Sequence, residues 1–224
     1  MLYIVATPIG NLKDITLRAL EILKSVDLIL CEDTRVSKKL LNAYEINTPL
    51  LSYHQHSKLN KIDLILDKLK QGENLALISD AGTPGISDPG NILVEKALEN
   101  NISVEPIPGP SAVLAAASVS GFPTDKFVFL GFIPKKKGKN KFFKKIESEK
   151  LTVIFYESVH RIIKTLEQMA EVMTERQIFV CRELTKMFEE KYRGTPAEVL
   201  VQMKGKTPKG EFVVIVRGLG KNDD

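Results

Sequence analysis

The loop of residues 79–90, SDAGTPGISDPG, has the composition that most directly suggests a binding site. Its glycines and prolines shape a tight backbone after the strand-like residues 74–78, as phosphate-binding loops do. Asp80 and Asp88 would repel a phosphate, however, and the lysine of a phosphate-binding motif is missing. We therefore expect this loop to hold something other than a nucleoside triphosphate.

A second feature is the lysine-rich segment, residues 135–145, with the sequence KKKGKNKFFKK. Seven of the 32 lysines and arginines lie in it, which leaves 25 basic against 28 acidic residues elsewhere, so the net charge of +4 originates here. Such a segment attracts a polyanion, because binding releases the counterions of phosphates. Alternatively, the lysines only solvate a loop, and Phe142 and Phe143 anchor the next helix.

The first half of the chain alternates short apolar runs with amphipathic stretches. Several runs are apolar on both faces, which is typical of buried parallel strands joined by crossover helices. A helix of small residues then follows within 108–125 and ends at Gly121. Strands are predicted at 2–7, 27–33, 49–53, 74–80 and 102–108, and helices at 14–26, 37–44, 60–72 and 91–101.

The pattern begins again after Gly121 and predicts a second α/β unit. The sequence thus indicates an α/β fold with two α/β domains, residues 1–121 and 122–224. Strands of the second are expected at 126–132, 151–158, 177–184 and 210–218, and helices at 139–148, 159–173 and 196–204.

Polar and glycine-rich segments stand at the ends of most of these strands, where ligands collect in α/β sheets. Each segment is a weak signal alone, but together they predict a lined cleft between the two domains. The segments are 7–11, 31–35, 52–56, 79–90, 108–112, 156–161 and 182–186.

Several long strings carry a family resemblance: LYIVATPIGNLKDITLRAL, CEDTR, SYHQH, LISDAGTPGISDPG, PIPGPSA, FYESVHR, RELTK and GEFVVIV. The chain resembles the tetrapyrrole methylase superfamily, and within it the branch that methylates the ribose 2′-oxygen of a cytidine in 16S ribosomal RNA. Val159 departs from the proline that is usual in this branch, and Gln55 from the usual acidic residue. The string ATPIGN replaces the GxGPGD loop of members that act on tetrapyrroles, which counts against such a substrate.

The resemblance implies S-adenosylmethionine as the methyl donor, folded in the cleft between the two domains. A sulfonium cation suits a loop with carboxylates better than a polyphosphate does. Alternatively, Asp80 only caps a turn. The cofactor-binding residues that the resemblance implies are Ile9, Asp80, Ala81, Gly82, Thr83, Ser111, Ala112, Tyr156, Leu184 and Pro208.

Methyl transfer to a ribose hydroxyl needs alignment of oxygen, methyl and sulfur, and removal of a proton. The catalytic candidates among the charged residues at strand ends are Lys186, Glu183 and Glu157. Lys186 would act as a base if neutral, or stabilise the developing alkoxide if charged. Alternatively, Glu183 and Lys186 simply pair with each other, and Glu157 caps the helix that follows.

Candidate RNA contacts are basic residues of the strand ends and of the lysine-rich segment. The expected partners are 16S ribosomal RNA or the small ribosomal subunit, and a second copy of the chain in a homodimer. Two alternatives are a methyltransferase acting on an acidic tetrapyrrole and a catalytically silent RNA-binding protein. The candidate RNA-binding residues are Arg35, His54, Lys135, Lys136, Lys137, Lys139, Arg161 and Arg182.

The composition, with 43% hydrophobic and 27% charged residues, is that of an ordinary soluble globular protein. Because the sequence lacks a membrane-length apolar run and a signal peptide, a cytoplasmic location is expected. Cys31 and Cys181 are interpreted as two buried thiols. The three histidines lack the spacing of metal ligands, so no metal is expected.

Overall fold

The computed structural model describes residues 1–54, 59–134, 138–205 and 209–220. The chain divides into two compact units, Met1–Ser111 and Ala112–Asp224. Each unit contains a five-stranded sheet with helices packed on it. This confirms the predicted α/β class with two α/β units.

The sheet of the first unit is parallel, with the strand order β3-β2-β4-β1-β5. A short 3-10 helix, Leu12–Asp14, precedes the first α-helix. The predicted strands and helices of this unit are all present: β1 Leu2–Val5, α1 Leu17–Ser25, β2 Leu28–Cys31, α2 Thr34–Ala43, β3 Leu50–Ser52, α3 Leu59–Lys70, β4 Leu75–Leu77, α4 Asn91–Glu99 and β5 Val104–Ile107.

Both faces of this sheet are buried, as the apolar runs predict. Ile29 packs in one cluster with Leu23 of α1, whereas the next residue, Leu30, packs in another with Ile65 of α3. Successive side chains of a strand point to opposite faces, so helices cover the sheet on both sides. Because all five strands run in one direction, their carboxyl ends lie at the same edge.

The sheet of the second unit has the order β6-β7-β10-β8-β9, and only β6 and β7 are paired in parallel. The carboxyl ends of β6, β7 and β8 nevertheless share one edge with the amino end of β10, because β7 and β8 are both antiparallel to β10. The elements are α5 Ala112–Ser120, β6 Phe127–Phe132, α6 Lys139–Glu147, β7 Thr152–Ser158, α7 Ile162–Val172, β8 Ile178–Arg182, β9 Glu190–Gly194, α8 Pro196–Met203 and β10 Glu211–Val216.

Strand β9 was not predicted from the sequence. Its residues EKYRG contain one large side chain with apolar character, Tyr192, which is buried, while Lys191 and Arg193 are largely exposed. Among the strands of the described residues, β9 lies at the edge of the sheet and pairs with β8 alone. With only one buried side chain, the strand shows too little alternation of apolar and polar residues to be predicted from the sequence.

Helix α5 packs with the second unit, although the predicted boundary placed it in the first. Its Val113 and Ala116 lie in an apolar cluster with Ile154 of β7 and Val213 of β10. The second unit therefore begins at Ala112 in the structure, against 122 in the prediction. A helix of small residues carries no sequence signal for the sheet that it covers.

The phenylalanines of the lysine-rich segment anchor helix α6, as the alternative interpretation predicted. Phe143 is buried, and Phe142 contacts Phe155 of β7 with 5.7 Å between the ring centroids. Lys141, together with Lys144 and Lys145, is exposed on this helix. Of the candidate RNA-binding lysines in the segment, Lys135, Lys136 and Lys137 lie outside the described residues, as do the side chains of Lys139 and Asn140.

Candidate active site

The ends of β1, β4 and β5 are tied together by short contacts. Thr7, after β1, forms a β-bridge with Gly82, and its Oγ1 donates a 3.0 Å hydrogen bond to the carbonyl of Ser79. The hydroxyl of Thr83 donates to the carbonyl of Pro110, after β5, at 3.3 Å. The loop 79–90 therefore has a defined conformation at this edge of the sheet.

Two glycines permit this close approach. Gly82 has a φ of +84°, which favours glycine, and a Cβ there would lie 3.5 Å from Ile9. A Cβ on Gly109 would lie only 3.0 Å from the Cβ of Ala6. The structure thus brings together Ile9 and residues 80–83, which the resemblance implies as cofactor contacts, near the segment that leads to Ser111.

A carboxylate stands exposed at the start of this loop. Asp80 accepts a hydrogen bond from the backbone N–H of Asp33 at 3.1 Å. Partial burial of the carboxyl group raises its pKa above the usual range, which the N–H of Asp33 partly offsets and the negative charge of Asp33 reinforces. Glu32 also has a raised pKa, through partial burial and then the charge of Asp80. Negative potential therefore accumulates here, and a cation would relieve it.

Arg35 is not free to act as an isolated RNA contact. Its guanidinium binds both carboxylate oxygens of Asp33, the cap of α2, at 2.6 to 3.2 Å. These hydrogen bonds lower the pKa of Asp33 to about 2. The arginine side chain is nevertheless 87% exposed. His54, another candidate, is exposed just after β3, whereas residues 55–58 lie outside the described part of the chain.

At the edge of the second unit, Glu157 is a buried anchor rather than an accessible acid or base. Its carboxylate accepts hydrogen bonds from the N–H of Ser158 at 2.6 Å and from the hydroxyl of Thr165 at 2.7 Å. Arg161 pairs with it at 2.8 Å, and the glutamate side chain has 0% exposure. This arrangement is closer to the alternative prediction, a structural role at the start of α7, than to a catalytic one.

Lys186 lies between two carboxylates. Its Nζ donates to Glu183 at 2.9 Å and to Glu211 at 2.8 Å. Partial burial lowers the pKa of Lys186, but the hydrogen bonds to Glu211 and Glu183 outweigh this and hold it above its usual value. Partial burial raises the pKa of Glu183, but its hydrogen bonds from Lys186 and from the backbone N–H of Glu211 outweigh this and hold the pKa below its usual value. A protonated lysine and an ionised glutamate result, and the two residues pair as the alternative predicted; whether Lys186 also takes part in the reaction is a separate question of function.

Glu211 is a site residue that the sequence analysis missed. It is the first residue of β10, and its N–H also donates to Glu183 at 3.0 Å. A positive φ of 49° at Glu183 turns the chain so that the two glutamates can flank Lys186. The motif RELTK indicates Glu183 and Lys186, but a partner 25 residues further along the chain leaves no local signal.

Three of the remaining cofactor candidates belong to the second unit and pack against one apolar cluster. Ala112, Tyr156 and Leu184 are partly buried and pack against the cluster formed by α5 and the sheet. Pro208 lies outside the described residues.

Two further RNA-binding candidates already have partners within the protein. Arg161 donates to the carbonyl of Ile133 at 3.0 Å besides pairing with Glu157. Arg182 pairs with Glu190 at 2.5 Å and donates to the carbonyl of Lys209 at 2.7 Å. Their side chains are only 22% and 17% exposed, so most of their hydrogen-bonding capacity is used internally.

Both cysteines are buried and unpaired, as predicted, and burial raises the pKa of Cys181 to about 12. Over the described residues, no group of three or more potential ligands is arranged to hold a metal ion. The helices described here are also too short or too polar to cross a membrane.

The residues of the first unit fit S-adenosylmethionine. The loop offers an exposed carboxylate in a negative environment and backbone groups held by Gly82 and Thr83. A sulfonium and an ammonium group are complementary to such a surface.

The family model of the Tetrapyrrole (Corrin/Porphyrin) Methylases matches residues 1–200. The chain belongs to this family, which confirms the predicted family and enzyme class.

Relatives that match over nearly the whole of this chain support a more specific grouping. A Ribosomal RNA small subunit methyltransferase I from Thermotoga maritima is 46% identical, covering 97% of this chain and 98% of its own. Its namesake from Mycoplasmopsis pulmonis is 50% identical, with 96% of each chain covered. The Bacillus subtilis relative of the same name is 48% identical over 97% of this chain and 75% of its own.

Solved structures share the fold at low sequence identity. A cobalt precorrin-4 methyltransferase matches with a TM-score of 0.69 and 19% identity, covering 96% of this chain and 93% of its own. A diphthine synthase matches with a TM-score of 0.74 and 12% identity, covering 96% and 89%. These similarities concern the fold alone.

Proposed function

We propose that the protein transfers a methyl group from S-adenosylmethionine to the 2′-hydroxyl of a cytidine in 16S ribosomal RNA. The observation that carries this proposal is the 46–50% identity, over nearly the whole chain, to proteins named Ribosomal RNA small subunit methyltransferase I. The location of this activity is the cytoplasm, and the acting form is a homodimer.

The methyl donor is held by the loop 79–90 and its neighbours. S-adenosylmethionine, the donor of this family, supplies an electrophilic methyl group on a positively charged sulfur. Asp80 contributes the complementary negative charge, and Ile9, Gly82 and Thr83 contribute the surface and backbone groups beside it. Ala112, Tyr156 and Leu184 provide the apolar contacts of the second unit.

Lys186 assists the reaction as a cation. When S-adenosylmethionine is bound, methyl transfer would form a bond from the ribose 2′-oxygen to the methyl carbon as the carbon–sulfur bond breaks, and the hydroxyl proton would pass to solvent water. An ammonium group beside that oxygen lowers the cost of the developing negative charge. Since the pKa of Lys186 is raised, the residue serves as this stabilising charge and not as the proton acceptor. Glu183 and Glu211 act as positioning residues that fix its Nζ.

The lysine-rich segment, residues 135–145, supplies affinity for the RNA backbone. Its seven lysines contain the whole positive excess of the chain. Phosphate contacts of this kind are independent of sequence, so selection of the nucleotide must come from other residues or from the shape of the ribosomal subunit.

The test compares methyl acceptors. Purified protein is incubated with isotopically labelled S-adenosylmethionine and either small ribosomal subunits from a strain lacking the homologous enzyme or a mixture of tetrapyrrole precursors. Label is expected in 16S ribosomal RNA, in a product that resists alkaline cleavage at the modified nucleotide. Label in the tetrapyrroles alone would overturn the proposal. A chelator added to the reaction is expected to leave the rate unchanged.

A further inference from the structure

Three aromatic side chains on the adjacent strands β6 and β7, Phe129, Phe132 and Tyr156, form what we call the aromatic group. Tyr156 meets both phenylalanines edge to face, with ring centroids 5.0 Å from Phe129 and 5.4 Å from Phe132. Phe132, the last residue of β6, remains 58% exposed. A single exposed phenylalanine is common on protein surfaces, so the group needs a second feature to indicate function.

That feature is a β-bulge that sets the direction of Phe132. Phe129 lies opposite Ile154 and Phe132 lies opposite Tyr156, so β6 uses three residue steps where β7 uses two. Gly131 adopts a φ of +62° in the bulge, a conformation that favours glycine. Without the extra residue, Gly131 would stand opposite Tyr156, and Phe132 would point to the other face of the sheet. The bulge therefore places an exposed ring beside Tyr156.

The position of the ring relates it to two parts of the proposed site. The carboxyl end of β6 shares its sheet edge with that of β8, after which Lys186 follows. These strands are three places apart in the sheet, which corresponds to about 14 Å. Two residues, Ile133 and Pro134, separate Phe132 from the lysine-rich segment. The guanidinium of Arg161 donates a 3.0 Å hydrogen bond to the backbone carbonyl of Ile133, the residue after Phe132. The backbone next to the Phe132 ring is therefore held in place.

We propose that Phe132 is a stacking platform for an unpaired base of the RNA substrate, at a nucleotide flanking the one that is methylated. Exposed aromatic rings next to basic segments bind single-stranded nucleic acid in this way, because every base has a face that can stack. The inference rests on the proposed function, since it assumes that the polyanion attracted by the lysines is RNA.

The adenine of S-adenosylmethionine is a less suitable occupant for this ring. The implied cofactor contacts of this unit, Ala112, Tyr156 and Leu184, are partly buried against the α5 side of the sheet. Phe132 is the most exposed member of the aromatic group, and the chain continues from it directly toward the lysines. The cofactor is therefore the alternative outcome of the test.

The test uses the full chain with three substitutions. Phe132→Leu keeps an apolar side chain but removes the ring, and Phe132→Tyr keeps the ring. Phe188→Leu is the matched control, because Phe188 is also strongly exposed, at 68%, but lies in the turn after β8. The probe is a single-stranded oligoribonucleotide with one fluorescent 2-aminopurine, whose emission falls on stacking, titrated at several salt concentrations. Calorimetry measures S-adenosylmethionine affinity in parallel, and thermal unfolding verifies each fold.

Phe132→Leu is expected to weaken RNA binding about 10-fold and to abolish the fluorescence quenching. Its salt dependence should match that of the wild type, because no phosphate contact is lost. Phe132→Tyr and Phe188→Leu should bind within about twofold of the wild type, and cofactor affinity should stay constant.

Three results would overturn the inference: equal RNA binding by Phe132→Leu and the wild type, equal losses in Phe132→Leu and Phe188→Leu, or a loss confined to cofactor affinity. If the wild-type protein itself did not bind RNA, both the proposed function and this inference would be wrong.

Discussion

Asp80, at the strand ends of the first unit, and Lys186, at those of the second, occupy similar places but differ in how their charges are satisfied. Among the described residues, Asp80 accepts one backbone N–H, and the carboxylates of Glu32 and Asp33 lie near it. Lys186 is held by two carboxylates, and Glu157 at the same edge is fully enclosed by its partners. The sheet edge of the first unit, which we call the first edge, therefore has uncompensated negative charge that can bind a cationic ligand. At the sheet edge of the second unit, which we call the second edge, most charged side chains are paired with other residues of the protein.

Because of this difference, a polar residue at a strand end has a different role in each of the two sheets. In the parallel sheet, five carboxyl ends share one edge, and glycine-rich loops leave backbone and carboxylate groups available. In the mostly antiparallel sheet, charged residues lie on adjacent strands and pair across them, as Arg182 does with Glu190. A charged side chain at the edge of the parallel sheet can bind a ligand. A charged side chain at the edge of the mostly antiparallel sheet usually stabilises the fold or orients a neighbouring residue.

The largest effect is expected when the enclosed charge of the second edge is removed. Glu157→Ala should lower the free energy of unfolding by about 3 kcal/mol, because Arg161 loses its partner and Thr165 its acceptor. Urea unfolding followed by circular dichroism measures this. Glu171→Ala, at an exposed position of α7, is the control and should change stability by less than about 0.5 kcal/mol. Unchanged stability together with lost methyl transfer would restore Glu157 as a catalytic residue.

Lys186 offers a kinetic test of the same edge. Lys186→Gln should lower kcat about 100-fold if the ammonium stabilises the transition state, and Lys186→Arg should recover part of that loss by keeping the charge. The raised pKa means that the lysine stays protonated as pH rises, and that a stabilising charge is lost only above the usual lysine range. A rate for the wild type that increases with pH through deprotonation of Lys186, with no activity in the arginine variant, would identify a base instead.

The first edge is tested through Asp80. Asp80→Asn should weaken S-adenosylmethionine binding by about 10- to 100-fold, the range for a lost charge-assisted hydrogen bond, with RNA affinity unchanged. Asp88→Asn in the same loop is the control. Since the pKa of Asp80 is raised, its negative charge disappears as pH falls through values above the usual aspartate range. Cofactor affinity should decrease there in the wild type but not in Asp80→Asn, which calorimetry at several pH values would measure. Parallel pH profiles in the two proteins would exclude Asp80 as the cationic contact.

Sequence patterns predicted the fold wherever apolar periodicity was strong. The parallel sheet follows from runs such as LILC in β2, which are buried on both faces. Strand β9 could not be predicted from the sequence, because its only apolar signal is a single buried tyrosine. The assignment of α5 to the second unit could not be predicted either, because it depends on packing against strands that are distant in the sequence.

The sequence predicted which residues belong to the candidate site better than it predicted which residues they contact. The loop composition and the family resemblance indicated Asp80 and Lys186, but not that Glu211 completes the lysine's environment or that Arg161 is occupied by Glu157 and Ile133. Long-range pairs of this kind arise from strand register, which no local pattern records. The direction of Phe132 likewise depends on one extra residue in β6.

A smaller effect is expected from the lysine-rich segment, whose contribution is spread over many contacts. Replacing Lys135, Lys136, Lys137 and Lys139 with glutamine should weaken RNA binding about 10-fold at low salt and reduce the slope of log K against log salt by up to about 3. Filter binding of 16S ribosomal RNA fragments at several salt concentrations measures both quantities. S-adenosylmethionine affinity should stay constant, in contrast to Asp80→Asn.

The matched control for this variant removes the same charge elsewhere. Lys24, Lys38, Lys39 and Lys70 are exposed on helices of the first unit, and replacing them with glutamine also brings the formal net charge from +4 to 0. If total charge alone attracted the RNA, both variants would lose affinity and salt dependence equally. A larger loss in the segment variant would locate phosphate binding in residues 135–139, because only contacts at the bound backbone release counterions. Equal losses would assign the segment to solvation and leave RNA recognition to the rest of the second edge.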